Sequence, residues 1–286
     1  MSFFGNPFGR KMSRRSTRKT RRTRHLGTRS RSPYLMRRLL LEPLECRHLL
    51  AAILFDPGGY VGQYSVEGQV FAAEAATIDL DPGAYSVGIG GVGNVDFEVD
   101  SDGNVTSQSP IAATGGPNSL TFNTTDVFVQ SGDYVGDYAI TASTVISLSP
   151  VDSGPQSAKV IPGFTFRVAL PWLGTVDFDV DAVGNVTSQN PPAIAGDGTT
   201  NTLQINTTEV VVDPGDYVGA YAINGGTSLL LPAGTGIRSA KVIPGFTYDL
   251  GFPFLATVHF DVDVAGNVTS GNQLAIAGDG TTNTLQ

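Results

Sequence analysis

The sequence predicts an all-β protein of three tandem units of about 80 residues, each a small antiparallel sandwich or meander, behind a disordered basic leader. Long segments recur along the chain, and large apolar residues alternate with small or polar residues within them. Of the 24 acidic residues after position 50, 20 are aspartate, which prefers turns to helices. Abundant Gly and Pro, 35 and 17 residues, fit many short strands joined by tight turns.

The leader, residues 1–52, differs sharply in charge from the body. Residues 1–50 hold 14 of the 18 Lys and Arg and carry a net charge of +12, whereas residues 51–286 carry −20. Such a basic segment can bind nucleic acid through phosphate contacts, or it can be the positive region of an export signal. The residues that follow it favour export: Leu41-Glu42-Pro43-Leu44-Glu45-Cys46-Arg47-His48-Leu49-Leu50-Ala51.

That segment resembles the L-E-P-x-E-x-R-x-L-L-A motif found near the start of exported planctomycete proteins. The resemblance implies a bacterial source and an extracellular or cell-envelope location, with trimming near Ala51 or Ala52, and it disfavours a nucleic-acid partner. No stretch of 18 apolar residues is present, so we expect no membrane-spanning helix. The single cysteine, Cys46, lies in the leader, so the body has neither a disulfide nor a thiol nucleophile.

Internal repetition divides the body. Ser157–Thr165 recurs verbatim at 239–247, Ala193–Gln204 recurs at 275–286, and Gly-Asn-Val-Thr-Ser occurs three times. We therefore place unit 1 at 55–128, unit 2 at 129–211 and unit 3 at 212–286. Because unit 3 stops at the counterpart of Gln204, we expect it to lack the last strand and to expose a sheet edge through which the chain could associate with itself.

One hairpin of each unit can be predicted in detail from its sequence. In unit 2, Val176, Phe178 and Val180 alternate with aspartates, and Gly184-Asn185 supplies the turn. We expect the apolar side chains to be buried and the aspartates to face water. Pro162-Gly163 predicts a type II turn, because proline sets φ and glycine takes the positive φ.

The acidic residues of these hairpins are candidate calcium ligands. Carboxylates at alternate strand positions project to the same side, and clustered oxygen ligands suit Ca²⁺. The alternative is the polar face of a half-buried strand with an aspartate turn, and His259 in unit 3 weakens a shared metal role. No other cofactor is expected. The candidate ligands are Asp96, Glu98, Asp100, Asp102, Asp177, Asp179, Asp181, Asp261 and Asp263.

Each unit also carries a pair of tyrosines with glycine midway between them. Such rings could form an exposed platform that stacks on sugars, or they could pack in the core. The pairs are Tyr60/Tyr64, Tyr134/Tyr138 and Tyr217/Tyr221.

These patterns favour a structural or adhesive repeat protein of the cell surface or extracellular matrix over an enzyme. Nearly every polar feature recurs in the units, whereas an active site is usually a unique constellation. The alternatives are a glycan- or calcium-binding module and, less favoured, part of a polysaccharide-active enzyme. Other surface proteins or glycans are the expected partners.

Overall fold

The computed structural model describes residues 50–286, except residues 61, 135, 142–144, 149–155, 172, 218, 225–228, 232–235 and 253–256. The predicted leader lies outside the described residues up to position 49. Regular structure in the described part is entirely β-strand, which confirms the predicted fold class. No helix in this part of the chain is long and apolar enough to cross a membrane.

The strands fall into three units, each built from two sheets. Those of unit 1 are β1 (Ala51–Asp56), β2 (Tyr64–Val66), β3 (Gln69–Phe71), β4 (Ala76–Leu80), β5 (Gly83–Ile89), β6 (Gly93–Val99), β7 (Val105–Ser107), β8 (Ala113–Gly116) and β9 (Ser119–Phe122). Those of unit 2 are β10 (Thr125–Gln130), β11 (Tyr138–Thr141), β12 (Val145–Leu148), β13 (Gln156–Val160), β14 (Thr165–Leu170), β15 (Gly174–Val180), β16 (Val186–Ser188), β17 (Ile194–Ala195) and β18 (Thr202–Ile205). Those of unit 3 are β19 (Thr208–Val212), β20 (Tyr221–Asn224), β21 (Leu229–Leu231), β22 (Arg238–Val242), β23 (Thr247–Gly251), β24 (Thr257–Val262), β25 (Val268–Ser270) and β26 (Thr284–Leu285).

The three units share one topology. In unit 1 the sheets have the orders β4-β1-β9-β8 and β3-β2-β5-β6-β7. Unit 2 repeats them as β13-β10-β18-β17 and β12-β11-β14-β15-β16, and unit 3 as β22-β19-β26 and β21-β20-β23-β24-β25. The pairings are antiparallel except for one parallel pair per unit: β1–β9, β10–β18 and β19–β26. In each unit this parallel pair joins the first strand to the last strand.

The strand pairing places the unit boundaries a few residues earlier in the chain than the sequence repeats predicted. The limits 128/129 and 211/212 fall inside β10 and β19, because each of these strands pairs with later strands of the following unit. The units therefore begin at Ala51, Thr125 and Thr208. Unit 3 was also expected to lack its last strand, the counterpart of residues 205–211. In unit 2 those residues end β18 and form most of β19, whereas β26 is the counterpart of the start of β18, so that expectation stays a prediction.

Each unit buries its apolar residues between its two sheets. In unit 1, Phe55 of one sheet meets Phe97 of the other edge to face, with ring centroids 5.7 Å apart. In unit 2 the predicted alternation holds: Val176, Phe178 and Val180 are buried. The predicted Pro-Gly turn also forms, with Gly163 at a φ of 86°. Face-to-face packing of this kind makes each unit a small β-sandwich.

Successive units are joined by the same contact. A Cβ on Gly93 of unit 1 would lie 2.6 Å from the ring of Phe164 in unit 2, and one on Gly174 would lie 3.4 Å from the ring of Phe246 in unit 3. Phe246 also packs against the buried core of its own unit. Phe164 and Phe246, which follow the Pro-Gly turns at 162–163 and 244–245, thus each cover a glycine at the start of a strand in the preceding unit.

Candidate functional site

Carboxylates follow the exposed face of one strand in each unit. On β6 the exposed Asp96 and Glu98 alternate with buried apolar side chains, and β15 and β24 show the same alternation. Asp102 lies exposed in the turn after β6. The predicted alternation is confirmed, and it follows from the two-residue period of a strand.

The aspartate that follows each of these strands builds the hairpin turn. Asp181 Oδ1 accepts hydrogen bonds from two backbone N–H groups of the turn, at 2.8 and 2.9 Å, and its Oδ2 accepts one from Asn185 Nδ2 at 3.0 Å. Asp100 and Asp263 make the same three bonds in units 1 and 3. The pKa of Asp100 lies below its ordinary value, mainly because the Asn104 side chain donates a hydrogen bond to the ionised carboxylate. These carboxylates orient the turn with both of their oxygens.

Three further candidate ligands, in units 2 and 3, bond to the neighbouring strand. Asp177 accepts a hydrogen bond from Arg167 Nε at 2.7 Å, while Asp179 and Asp261 accept bonds from threonine hydroxyls. Within the described ranges, no three His, Cys, Asp or Glu side chains come together in a group that could hold a metal ion. Calcium binding by the nine residues stays a prediction.

His259 has a partner that the sequence analysis missed. Its Nδ1 hydrogen-bonds Asp249 on β23, directly opposite in the strand register. The equivalent pair in unit 2 is Arg167 on β14 and Asp177 on β15. The aspartate of the pair therefore lies on the first strand of the hairpin in unit 3 and on the second strand in unit 2. The side chains of His259 and Asp249 are largely open to solvent, and surface pairs of this kind contribute little to stability. The register of the hairpin was the signal that could have identified this pair.

Of the two interpretations of the tyrosine pairs, core packing is the one observed for most of these rings. Tyr60 folds back over Gly62, where a Cβ would lie 2.1 Å from its Oη. Burial raises the pKa of Tyr60 to about 12. The sixth ring, Tyr217, is half-buried. The buried rings are those of Tyr60, Tyr64, Tyr134, Tyr138 and Tyr221.

Tyr217 belongs to an open apolar groove in unit 3, with a volume of about 280 Å³. Both sheets line it, with Val212 and Leu285 from one and Tyr221 and Leu250 from the other. Its volume lies slightly below the roughly 300–1,000 Å³ of typical small-molecule pockets. We call this feature the unit 3 groove.

No family model matches this chain, and no curated protein matches it. Two solved structures show a distant likeness. A C-terminal fragment of the pilus adhesin SpaC from Lactobacillus rhamnosus GG is 13% identical, with 83% of this chain and 95% of that chain covered and a TM-score of 0.27. The open conformation of the same adhesin is 12% identical, with 82% and 42% covered and a TM-score of 0.23. Likeness at these TM-scores carries no argument about the function of this chain.

Proposed function

We propose that this chain is an exported repeat protein with a structural or adhesive role at the cell surface or in the extracellular matrix. The observation that carries the proposal is the contact repeated between units, Phe164 over Gly93 and Phe246 over Gly174. A contact that joins each unit to the next in one way arranges them in a head-to-tail array, as in other repeat proteins. An array of this kind suits a spacer or scaffold that holds its ends apart.

The use of the polar residues supports the same role. The aspartates that recur in every unit, such as Asp181, direct their oxygens into their own turns. The cross-strand pair of Arg167 and Asp177 likewise joins two strands of one hairpin. For the turn aspartates Asp100, Asp181 and Asp263, repetition of the residue accompanies repetition of the same hydrogen bonds, whereas the Arg167–Asp177 bond belongs to unit 2.

The leader supports export. Its basic segment and the motif at Leu41–Ala51 resemble those of exported proteins. Trimming at Ala51 or Ala52 would be tolerated by the fold, because the first fully buried side chain of the body is Ile53. The mature chain would then keep the whole core of unit 1.

Location is tested on the tagged full chain in its native host. Antibody against a C-terminal tag should label intact cells, and N-terminal sequencing should find a chain that begins near Ala51. Recovery of the chain from the cytosol with residues 1–38 still attached would contradict export.

The role itself is tested by complementing a deletion strain. The double variant F164A/F246A weakens both junctions, and it should reach the surface without restoring the attachment or envelope integrity that the wild type restores. The matched control is R167A, which lies on the same hairpin and outside the junction contact. A glycan array with and without calcium forms the second arm, and specific glycan binding would replace the structural role with that of a binding module.

A further inference from the structure

Unit 1 has an open depression on the outer face of its five-stranded sheet. Its volume is about 410 Å³, within the range of roughly 300–1,000 Å³ of typical small-molecule pockets. Its polar lining includes Glu67, Ser86, Asp96 and Gln108. We call this feature the unit 1 depression.

These four polar residues lie side by side across the sheet. Ser86 on β5 is directly opposite Asp96 on β6. Glu67 follows the last residue of β2, which pairs with the residue after Ser86, so Glu67 lies beside Ser86 on the other side. Gln108 donates its backbone N–H to the carbonyl oxygen of Asp96 at 2.8 Å. Because neighbouring strands lie about 4.8 Å apart, the backbones of Glu67 and Asp96 flank Ser86 at a separation of about 10 Å.

The equivalent position in units 2 and 3 holds a carboxylate together with a nitrogen base of the same chain. In unit 2 Arg167 lies opposite Asp177, and its Nε donates to Asp177 Oδ1 at 2.7 Å. In unit 3 Asp249 lies opposite His259, and the two side chains are hydrogen-bonded. This site on the hairpin therefore pairs an aspartate with a planar nitrogen-bearing group in both units.

Unit 1 keeps the carboxylate of this pair and lacks its partner. Ser86 stands where unit 2 has Arg167, and Ala84 stands where units 2 and 3 have threonine. Among the residues that the structure describes, no ion pair includes Glu67 or Asp96. The small side chains of Ala84 and Ser86 leave open the space that a longer side chain on β5 would fill, and Asp96 is exposed beside it.

The second carboxylate of the depression comes from a strained turn. Glu67 and Gly68 join β2 to β3, and their φ values of 48° and 77° are those of a type I′ turn. Asparagine or glycine adopts the first of these positions most easily, whereas a glutamate there strains the backbone. The chain therefore holds an anionic side chain beside the depression although it destabilises the turn.

We propose that the unit 1 depression binds an arginine side chain of another polypeptide. The guanidinium group takes the place that Arg167 holds in unit 2 and donates to the carboxylates of Asp96 and Glu67. Its planar group presents five N–H donors, which suits two separate acceptors better than the point charge of lysine. The net charge of −20 over residues 51–286 also attracts a basic partner. An exposed ion pair is weak by itself, so this arginine is one contact of a larger interface.

The probe is N-acetyl-arginine amide, added to the full chain at constant ionic strength. N-acetyl-lysine amide, which has the same charge, is the control ligand. Two-dimensional NMR follows the backbone amide signals of Ser86, Asp96 and Gln108. The signal of Asp177 serves as an internal control, because Arg167 already occupies that carboxylate.

Three variants separate the depression from general attraction by charge. S86R gives unit 1 the arginine that unit 2 carries, so it should abolish binding of the probe. E67N should weaken binding about threefold, the effect of one exposed ion pair, while it raises the melting temperature because asparagine suits the positive φ. The matched control is D261N, which removes an exposed carboxylate from the equivalent hairpin of unit 3 and should leave binding in unit 1 unchanged.

The expected result is a saturable shift of the three unit 1 signals, with the arginine ligand bound at least about threefold more tightly than the lysine ligand. Equal affinity for the two ligands would show attraction by charge alone and would overturn the proposal. An unchanged shift in S86R, or the absence of a saturable shift in the wild type, would overturn it as well.

Discussion

Replacing Gly93 by alanine tests whether units 1 and 2 dock as the structure describes. The new Cβ would lie 2.6 Å from Cε1 and 3.0 Å from Cδ1 of Phe164, a ring that belongs to unit 2. Gly93 does not have a left-handed backbone, so alanine adds no backbone strain of its own. Overpacking of this kind costs about 1–3 kcal/mol, and we expect G93A to lower the free energy of unfolding by about 2 kcal/mol.

The cause of that loss is isolated by a double-mutant cycle. Phe164 is half-buried, so F164A should cost about 2 kcal/mol, roughly half of the loss for a fully buried phenylalanine. In the double variant the new methyl group has no ring to meet. The double variant should therefore lose about 2 kcal/mol, well short of the sum of about 4 kcal/mol. Urea unfolding followed by circular dichroism measures all four proteins.

The second junction provides the matched comparison. Gly174 has a φ of 143°, and its Cβ would lie 3.4 Å from the ring of Phe246. G174A is therefore strained by its own backbone, and F246A should relieve little of its cost. If the effects of G93A and F164A add to within about 0.5 kcal/mol, the two residues do not touch in solution and the docking argument fails.

Three further predictions concern single units. G115A should cost about 3 kcal/mol in urea unfolding, because its Cβ would lie 2.1 Å from the backbone oxygen of Val105, which cannot rotate away. Burial raises the pKa of Tyr60 to about 12, so the contribution of its neutral hydroxyl to stability is full below pH 10 and is lost as the pH rises through 12. The melting temperature should therefore fall between pH 9 and 12, and it should fall less steeply in the variant Y60F. D181N should lower the melting temperature equally in calcium and in EDTA, because the new amide nitrogen cannot accept the hydrogen bond from the Asn185 side chain. A fall in melting temperature that occurs only in calcium would favour a metal site.

The local features of the fold could be predicted from the sequence. Burial of Val176 and Phe178 follows from the two-residue period, since alternate side chains of a strand face opposite sides. The turn at Gly163 follows from the Pro-Gly pair, because the required backbone angles belong to those two residues. In both cases the determinants lie within a few residues of the structure that they specify.

The features that the sequence did not predict depend on distant residues. The parallel pair β10–β18 joins Phe128 to Thr202, and no local pattern marks a partner so far along the chain. The rings of Tyr60 and Tyr64 were open to two interpretations, because tyrosine suits both a core and an exposed surface. Their burial depends on the opposite sheet, from which Phe122 covers Tyr64.

Two identical segments show that a repeated sequence does not determine its own burial. Ala193–Gln204 and residues 275–286 have the same sequence, yet Ala193 is buried and Ala275 is exposed. In unit 2 the neighbouring Ile194 pairs with Ile205 on β18, so burial of the segment depends on the strand beside it as well as on its own sequence. A side chain repeated in all units with the same partners serves the sandwich that all of them share.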